Sequence, residues 1–179
     1  RLKEKGFLKK IETIKNKVPF GDRSNSIIEP LLTEQWFVNA KKLSQKPIKI
    51  VNQGKTSFFP ANWTKIFYQW MRDIEPWCIS RQIWWGHRIP AWYDESENIF
   101  VAENEKIALD LARKKNKKKI VKLKQETDVL DTWFSSALWP FATLGWPNKT
   151  KELKKFYPTS VLVTGFDIIF FWVARMLMM

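Results

Sequence analysis

The segment that closes the chain limits its fold most, because it joins an apolar run to a glycine turn and two charges. It reads Val161-Leu-Val-Thr-Gly-Phe-Asp-Ile-Ile-Phe-Phe-Trp-Val-Ala-Arg-Met176. The pattern predicts a buried parallel strand at Val161–Val163, a tight turn, and a helix from Ile168 onward. A strand that enters a helix in this way places the turn where open α/β folds bind their ligands. The sequence therefore predicts a ligand crevice beside Asp167.

Simpler interpretations of this segment stay open. An aspartate at the start of a helix is most often an N-cap or a partner of the helix dipole. Ile168 and Trp172 are also compatible with ordinary core positions. A membrane span is rejected, because Gly165, Asp167 and Arg175 interrupt the apolar run and a charge at a bilayer centre costs about 3 kcal/mol.

A second strand-to-helix junction has the same construction. Val129-Leu130 is predicted as a strand and Asp131 as the turn, and Trp133 follows just beyond it. Two such junctions favour one crevice with aromatic walls over two unrelated helix caps.

Between these junctions and the start of the chain, apolar spacing predicts the other elements. We expect a strand at 36–38, a helix that includes Pro47–Asn52, and a short strand at Phe58-Phe59. Asn62 is the predicted N-cap of a helix with a core-facing stripe. The stripe comprises Trp63, Ile66, Phe67, Trp70, Met71 and Ile74. Further on, a polar turn at 94–98 should close a hairpin between 89–93 and 99–102, before a short helix around Ile107 and a strand at 120–123.

Composition narrows the function. The chain has 31 Lys and Arg against 18 Asp and Glu, which favours a polyanionic partner, although a lysine-rich composition is an equally good explanation. A single cysteine, Cys78, excludes an internal disulfide and a multi-cysteine zinc site, and it suggests an intracellular protein. With no signal peptide, no initiating methionine and a final helix that lacks a C-cap, both ends are expected to be cut.

Three long segments carry a specific resemblance. They are WCISRQIWWGHRIPAWY at 77–93, DTWFSSALWP at 131–140 and GFDIIFFW at 165–172. The chain resembles, over nearly its whole length, the second half of the catalytic domain in the valyl-tRNA synthetase family of class I aminoacyl-tRNA synthetases. The resemblance implies an α/β fold: part of a Rossmann-like parallel-sheet catalytic domain with a small inserted α+β subdomain.

The resemblance also implies a domain plan. Residues 1–28 would be the tail of an editing insertion, 29–93 and 128–179 parts of the catalytic domain, and 94–127 a small basic insertion. Because this insertion contains no cysteine, no zinc is expected. The basic run at 113–119 is interpreted first as a solvated surface loop and second as a tRNA contact.

The activity implied is that of a valine–tRNA ligase in the cytoplasm. Such an enzyme activates valine with ATP and Mg²⁺, transfers it to tRNA(Val), and removes mischarged threonine in the editing insertion. Its partners would be tRNA(Val), valine, ATP and the rest of the synthetase chain, in a monomer without a membrane. The His-Ile-Gly-His and Lys-Met-Ser-Lys-Ser types of motif, which handle ATP phosphates in this class, do not occur in the 179 residues. The chain alone is therefore expected to be inactive.

By the resemblance, Trp133, Ile168 and Trp172 would wall the valine pocket, and Gly165 and Asp167 would hold the adenylate. No residue is predicted to be catalytic. Arg81, His87 and Arg88 are possible tRNA contacts, although a buried strand and hairpin with arginine stems along the surface explains them equally well. The alternatives are an isoleucyl or leucyl relative, and a non-catalytic RNA-binding module of the same fold.

Overall fold

A computed structural model describes residues 1–117 and 122–179. The chain divides into two compact units, 1–34 and 35–179. In the first unit the backbone turns back on itself at Phe20 and Ile27, which form an antiparallel bridge. Its side chains are almost all exposed. The elements that could form a site all belong to the second unit.

The second unit alternates short strands with helices. Its strands are β1 (Phe37–Val38), β2 (Trp77–Cys78), β3 (Ser80–Arg81), β4 (Ala91–Tyr93), β5 (Ile99–Val101), β6 (Lys124–Gln125) and β7 (Val129–Leu130). Its α-helices are α1 (Ala40–Asn52), α2 (Asn62–Arg72), α3 (Glu105–Asn116), α4 (Thr132–Ala142) and α5 (Lys151–Phe156). A terminal helix, here 166–178, starts as a 3₁₀ turn at Phe166–Ile168, widens to a π-helix at Ile169–Ala174 and ends as α-helix at Arg175–Met178.

The strands form three small sheets. β1 pairs with β2, β3 pairs with β7, and β4 lies between β5 and β6. Every one of these pairings among the described residues is antiparallel. The described residues therefore show a mixed α/β architecture with small sheets, and the Rossmann-like parallel sheet that the resemblance implies is not confirmed.

Among the described residues, the buried strand predicted at Val161–Val163 does not form. These residues form no strand, and their side chains are exposed, with Val163 at 87%. An apolar run is buried only if a neighbouring strand covers it, and none of the described residues pairs with this one. The short strand predicted at Phe58-Phe59 is also absent.

The main core lies between α1, α2, β2 and the terminal helix. Its buried residues are Ala40, Val51, Phe67, Met71, Trp77, Ile79, Ala174 and Met178. Phe67 and Met71 are nearly inaccessible, so the stripe of α2 faces a core at these positions, whereas Trp70 of the same stripe is 51% exposed. Burial of a side chain of this size contributes about 1.5–3 kcal/mol. Asn62, however, is the first residue of α2 and not its cap, because Ala61 already has helical backbone angles.

The predicted hairpin is confirmed, with Trp92 opposite Phe100. Those two residues form a second core with Ala108 and Ala112 of α3. The basic run is only partly as predicted, since Arg113 to Asn116 belong to the last turn of α3 rather than to a loop. Of the strand predicted at 120–123, residues 120 and 121 lie outside the described residues, as do Lys118 and Lys119 of the run.

Asp94 closes the hairpin through hydrogen bonds. Its carboxylate accepts from Asn116 Nδ2 at 2.7 Å and from the backbone N–H groups of Ser96 and Asn98, each at 2.9 Å. The bond from Asn116 and these others lower the pKa of Asp94 from 3.8 to about 2, against an opposing effect of burial.

We expect the hairpin to lose stability in acid. Because the pKa of Asp94 is lower in the folded state, its contribution is present above about pH 4 and is lost as the pH falls toward 2. Asp94→Asn should weaken the hairpin at neutral pH and flatten its dependence on pH in this window. Amide hydrogen exchange at Ser96 and Asn98 between pH 2 and 5 measures both effects. A wild-type profile as flat as that of the variant would contradict this expectation.

Candidate functional site

The terminal helix packs against α4 and so brings two predicted pocket residues into one region. The Trp133 ring stacks on Phe171, with ring centres 5.7 Å apart and planes inclined by 29°. Trp172 Nε1 donates a hydrogen bond to the carbonyl oxygen of Ser136, one turn after Trp133, at 3.1 Å. Both tryptophans are half-buried, which leaves part of each indole accessible to a ligand.

Ile168 is half-buried where the 3₁₀ turn gives way to the π-helix. α-Helical spacing would place Ile168 and Trp172 on one face, but this part of the helix has neither α-helical hydrogen bonds nor an α-helical period. The spacing of four residues is therefore no argument that Ile168 and Trp172 share a face. Their joint contribution to a pocket remains a prediction.

Gly165 and Asp167 lie at the exposed beginning of the terminal helix. Gly165, and not Asp167, occupies the N-cap position. A Cβ on Gly165 would stand 2.5 Å from Asp167 Oδ1, so the carboxylate lies directly over the glycine. Within the described residues, this carboxylate makes no hydrogen bond or ion pair, which leaves both oxygens available. The N-cap interpretation of Asp167 is thus wrong.

Thr164 adds a polar group that the sequence did not single out. Its Oγ1 is buried and has no hydrogen-bond partner among the described residues. An unsatisfied buried hydroxyl costs about 1–3 kcal/mol. Among the described residues, the turn from Thr164 to Asp167 therefore combines an unsatisfied buried hydroxyl with an exposed, unpaired carboxylate.

A buried charge cluster lies beside the tryptophans. Asp131 is 5% exposed and Arg175 is 9% exposed, and Arg175 Nη1 is 3.2 Å from Asp131 Oδ2. Trp77 Nε1 donates to the same oxygen at 2.9 Å, and Arg81 Nη2 is 3.3 Å from Oδ1. The Arg175 guanidinium also lies over the Trp77 ring, 4.1 Å from its centre.

Burial lowers the pKa of Arg175, while the negative charge of Asp131 acts in the opposite direction. The sequence pattern by itself indicates Arg175 only as an interruption of an apolar run, and Asp131 only as a turn. A signal was present, because an arginine within an apolar helix is buried only together with an acceptor.

The three predicted RNA-contact residues differ in their hydrogen bonds and in their exposure. Arg81 donates to the carbonyl oxygens of Cys78 and Ser80, at 3.0 and 2.8 Å, in addition to its contact with Asp131. Arg88 Nε donates to the Glu126 carbonyl at 2.6 Å, whereas the His87 side chain is exposed. The interpretation as a buried strand and hairpin is confirmed at Trp77, Ile79 and Trp92, which are buried, but not at Trp84 and Trp85, which are 105% and 90% exposed.

The Glu126 carboxylate makes hydrogen bonds to distant residues that the sequence does not predict. Its Oε2 accepts from Trp36 Nε1 at 3.0 Å and from the Tyr93 hydroxyl at 2.5 Å. Burial raises the pKa of Glu126, but these bonds outweigh it and the net pKa is lowered. The carboxylate ties β4 of the hairpin to the segment that precedes β1.

Three further observations concern grooves, metal sites and membrane-spanning helices among the described residues. One surface groove is lined by Thr64, Tyr68 and Arg72 of α2 and by none of the predicted pocket residues. In the part of the chain that the structure describes, no group of His, Cys, Asp and Glu could hold a metal ion, so no residue is assigned to Mg²⁺. No helix among the described residues is long and apolar enough to cross a membrane.

Comparison with known proteins places these features in context. The family model described as "tRNA synthetases class I (I, L, M and V)" matches residues 4–179. Valine–tRNA ligase of Pelagibacter ubique (strain HTCC1062) is 70% identical over 177 residues, which cover 99% of this chain and 20% of the relative. The valine–tRNA ligases of Caulobacter vibrioides and Bartonella henselae are 60% and 57% identical, over 100% and 99% of this chain and 20% of each relative. The chain thus spans about a fifth of the length of these curated relatives.

Proposed function

We propose a function from one premise: this chain belongs to the class I tRNA synthetases of the isoleucine, leucine, methionine and valine group. Its function is that of a segment of a valine–tRNA ligase, which forms valyl-adenylate from valine and ATP and then transfers valine to tRNA(Val). The observation that carries this proposal is the 70% identity to a valine–tRNA ligase over 99% of the chain. That identity also favours valine over an isoleucyl or leucyl activity.

We propose that 161–163 joins a Rossmann-like parallel sheet whose other strands come from the rest of the synthetase. Two features of the segment support this. Its apolar side chains are exposed, and within the described residues its backbone makes no hydrogen bond. An extended apolar segment with unpaired N–H and C=O groups is a template for strand pairing.

The valine side chain is proposed to lie between Trp133 and Trp172, with Ile168 closing the pocket. The packing of α4 on the terminal helix supports this assignment, because the Trp172 bond to Ser136 fixes one indole relative to the helix that carries the other. Flat, stiff rings suit the small branched side chain of valine and leave little room for a longer one.

The adenosine of the adenylate is proposed to lie over the turn formed by Thr164, Gly165 and Asp167. Two ribose hydroxyls can donate to the free carboxylate of Asp167, and such charge-assisted bonds are strong. Gly165 lets the nucleotide approach the backbone closely.

Catalysis then requires positioning rather than a protein nucleophile. A valine carboxylate oxygen attacks the α-phosphate of ATP, and pyrophosphate leaves. In the second step, a terminal ribose hydroxyl of tRNA attacks the activated carbonyl carbon, and AMP leaves. Mg²⁺ would supply charge neutralisation at the phosphates. This chain provides the pocket for valine and the carboxylate that orients the ribose.

Arg81, His87 and Arg88 remain proposed tRNA contacts with unequal support. Arg81 and Arg88 already donate to backbone oxygens, whereas His87 and its neighbours Trp84 and Trp85 are exposed. Exposed aromatic rings can stack on unpaired bases.

Because ribosomes consume the charged tRNA, the enzyme is proposed to act in the cytoplasm. Residues 1–28 are proposed as the tail of the threonine-editing insertion, and 94–127 as the small basic insertion.

The complete protein that contains this chain should catalyse valine-dependent exchange of pyrophosphate into ATP. Isoleucine should support little exchange, and the isolated 179-residue chain should support none. Exchange that prefers isoleucine or leucine would instead assign the chain to those relatives. Binding of tRNA without exchange for any amino acid would identify an RNA-binding module.

A further inference from the structure

The buried pair of Asp131 and Arg175 connects the two elements that carry the pocket tryptophans. Asp131 directly precedes α4, which begins at Thr132 and contains Trp133 as its second residue. Arg175 follows the π-helical turn that contains Trp172. The 3.2 Å contact between Nη1 and Oδ2 therefore links the start of one element to the end of the other.

The pair is anchored as well as buried. The backbone N–H of Asp131 donates to the Ile79 carbonyl at 2.7 Å, and its carboxylate accepts from Trp77 Nε1 at 2.9 Å. The guanidinium of Arg175 lies 4.1 Å from the centre of the same Trp77 ring. One tryptophan thus fixes both charges against the sheet edge, which leaves the pair little freedom to rearrange.

The ion pair joins α4 to the terminal helix in addition to the Trp172 bond to Ser136 and the stacking of Trp133 on Phe171. Each additional contact restricts the separation and the angle of the two elements. The space between Trp133 and Trp172 depends on that separation and angle.

Stability alone is a poor explanation of this cluster. Desolvation largely offsets the attraction within a buried ion pair, and well-packed apolar residues often stabilise a fold as well or better. A directional pair instead specifies one arrangement of the elements that it joins. We propose that Asp131 and Arg175 are positioning residues that set the width of the amino-acid pocket and thereby its upper size limit. This inference rests on the proposed function of Trp133 and Trp172 as pocket walls.

The test uses the complete synthetase with Asp131→Asn, Arg175→Lys and Arg175→Met. The measured quantity is kcat/KM in pyrophosphate exchange for isoleucine relative to valine. We expect this ratio to rise about tenfold in Arg175→Met, since one methylene group is worth about 10- to 200-fold in an apolar pocket, a range that synthetases of this class exemplify. Arg175→Lys keeps the charge but loses the planar guanidinium group. Its ratio should therefore lie between those of the wild type and of Arg175→Met. KM for valine should rise in all three variants, while KM for ATP stays within about twofold.

Asp94→Asn is the matched control. Asp94 is also a buried carboxylate held by hydrogen bonds, but it lies in the hairpin and contacts no element of the pocket. We expect it to lower the melting temperature and leave the ratio unchanged. If Arg175→Met does not fold, the ratio in Asp131→Asn and Arg175→Lys tests the proposal.

The Asp131 and Arg175 variants could have a lower melting temperature and an unchanged isoleucine-to-valine ratio. That result would overturn the positioning role. If Trp172→Ala nevertheless raises the ratio, the pocket itself stands. If Trp172→Ala also leaves the ratio unchanged, the pocket proposal fails first and this inference fails with it. The two results therefore separate one failure from the other.

Discussion

Trp172→Ala in the complete synthetase is expected to raise kcat/KM for isoleucine relative to valine by about 10- to 200-fold. This is the general range for one methylene group in an apolar pocket, and synthetases of this class exemplify it. The indole of Trp172 is half-buried and held by Ser136, so its removal opens space that the rest of the helix does not refill. Threonine has nearly the shape of valine, and its selectivity should change less. Pyrophosphate exchange with the three amino acids measures the effect.

Trp139→Ala is the control for this experiment. Trp139 belongs to the same α4 helix but has an exposed side chain, so its truncation should leave the ratio unchanged. If isoleucine remains excluded after Trp172→Ala, Trp172 is a packing residue and the pocket lies elsewhere.

Asp167→Ala should lower the rate of adenylate formation by about 10- to 100-fold. This range follows from the roughly 1.5–3 kcal/mol of a hydrogen bond to a charged group. The melting temperature should hardly change, because Asp167 is exposed and its carboxylate bonds to none of the described residues. Single-turnover formation of valyl-adenylate measures the first quantity, and thermal unfolding measures the second.

Gly165→Ala extends the same prediction. The new methyl group would stand 2.5 Å from Asp167 Oδ1 and would push the carboxylate aside. It should therefore weaken adenylate formation in the same direction while leaving Asp167 in place. Asp110→Ala, at an exposed ion pair with Arg113, is the neutral control. A normal rate of adenylate formation in Asp167→Ala would refute the assignment of the carboxylate to the nucleotide.

Local patterns predicted some elements correctly. The hairpin around Asp94 and the core-facing stripe of α2 follow from turn chemistry and from residue spacing within a few positions. These signals depend on neighbours along the chain. Such local signals therefore predict an element without knowledge of the tertiary fold.

Other predictions failed where a local pattern has more than one outcome. The run at 161–163 is apolar enough for a buried strand, but burial needs a partner strand that the described residues do not supply. Asn62 is a good capping residue, yet it is the first residue of the helix, and Ala61 occupies the N-cap position. For 113–116, helix α3 continues through a basic stretch that composition alone favours as a loop.

The sequence by itself determined the family and the candidate residues of the site. Long runs such as 131–140 and 165–172 are specific enough to place the chain among the synthetases without any coordinates. Only the tertiary structure decided which of these residues are tied together. Asp131 meets Arg175 across 44 positions and Trp77 across 54, and Glu126 meets Trp36 across 90. A buried charge must have a partner, but which distant residue fills that role depends on how the helices and sheets pack.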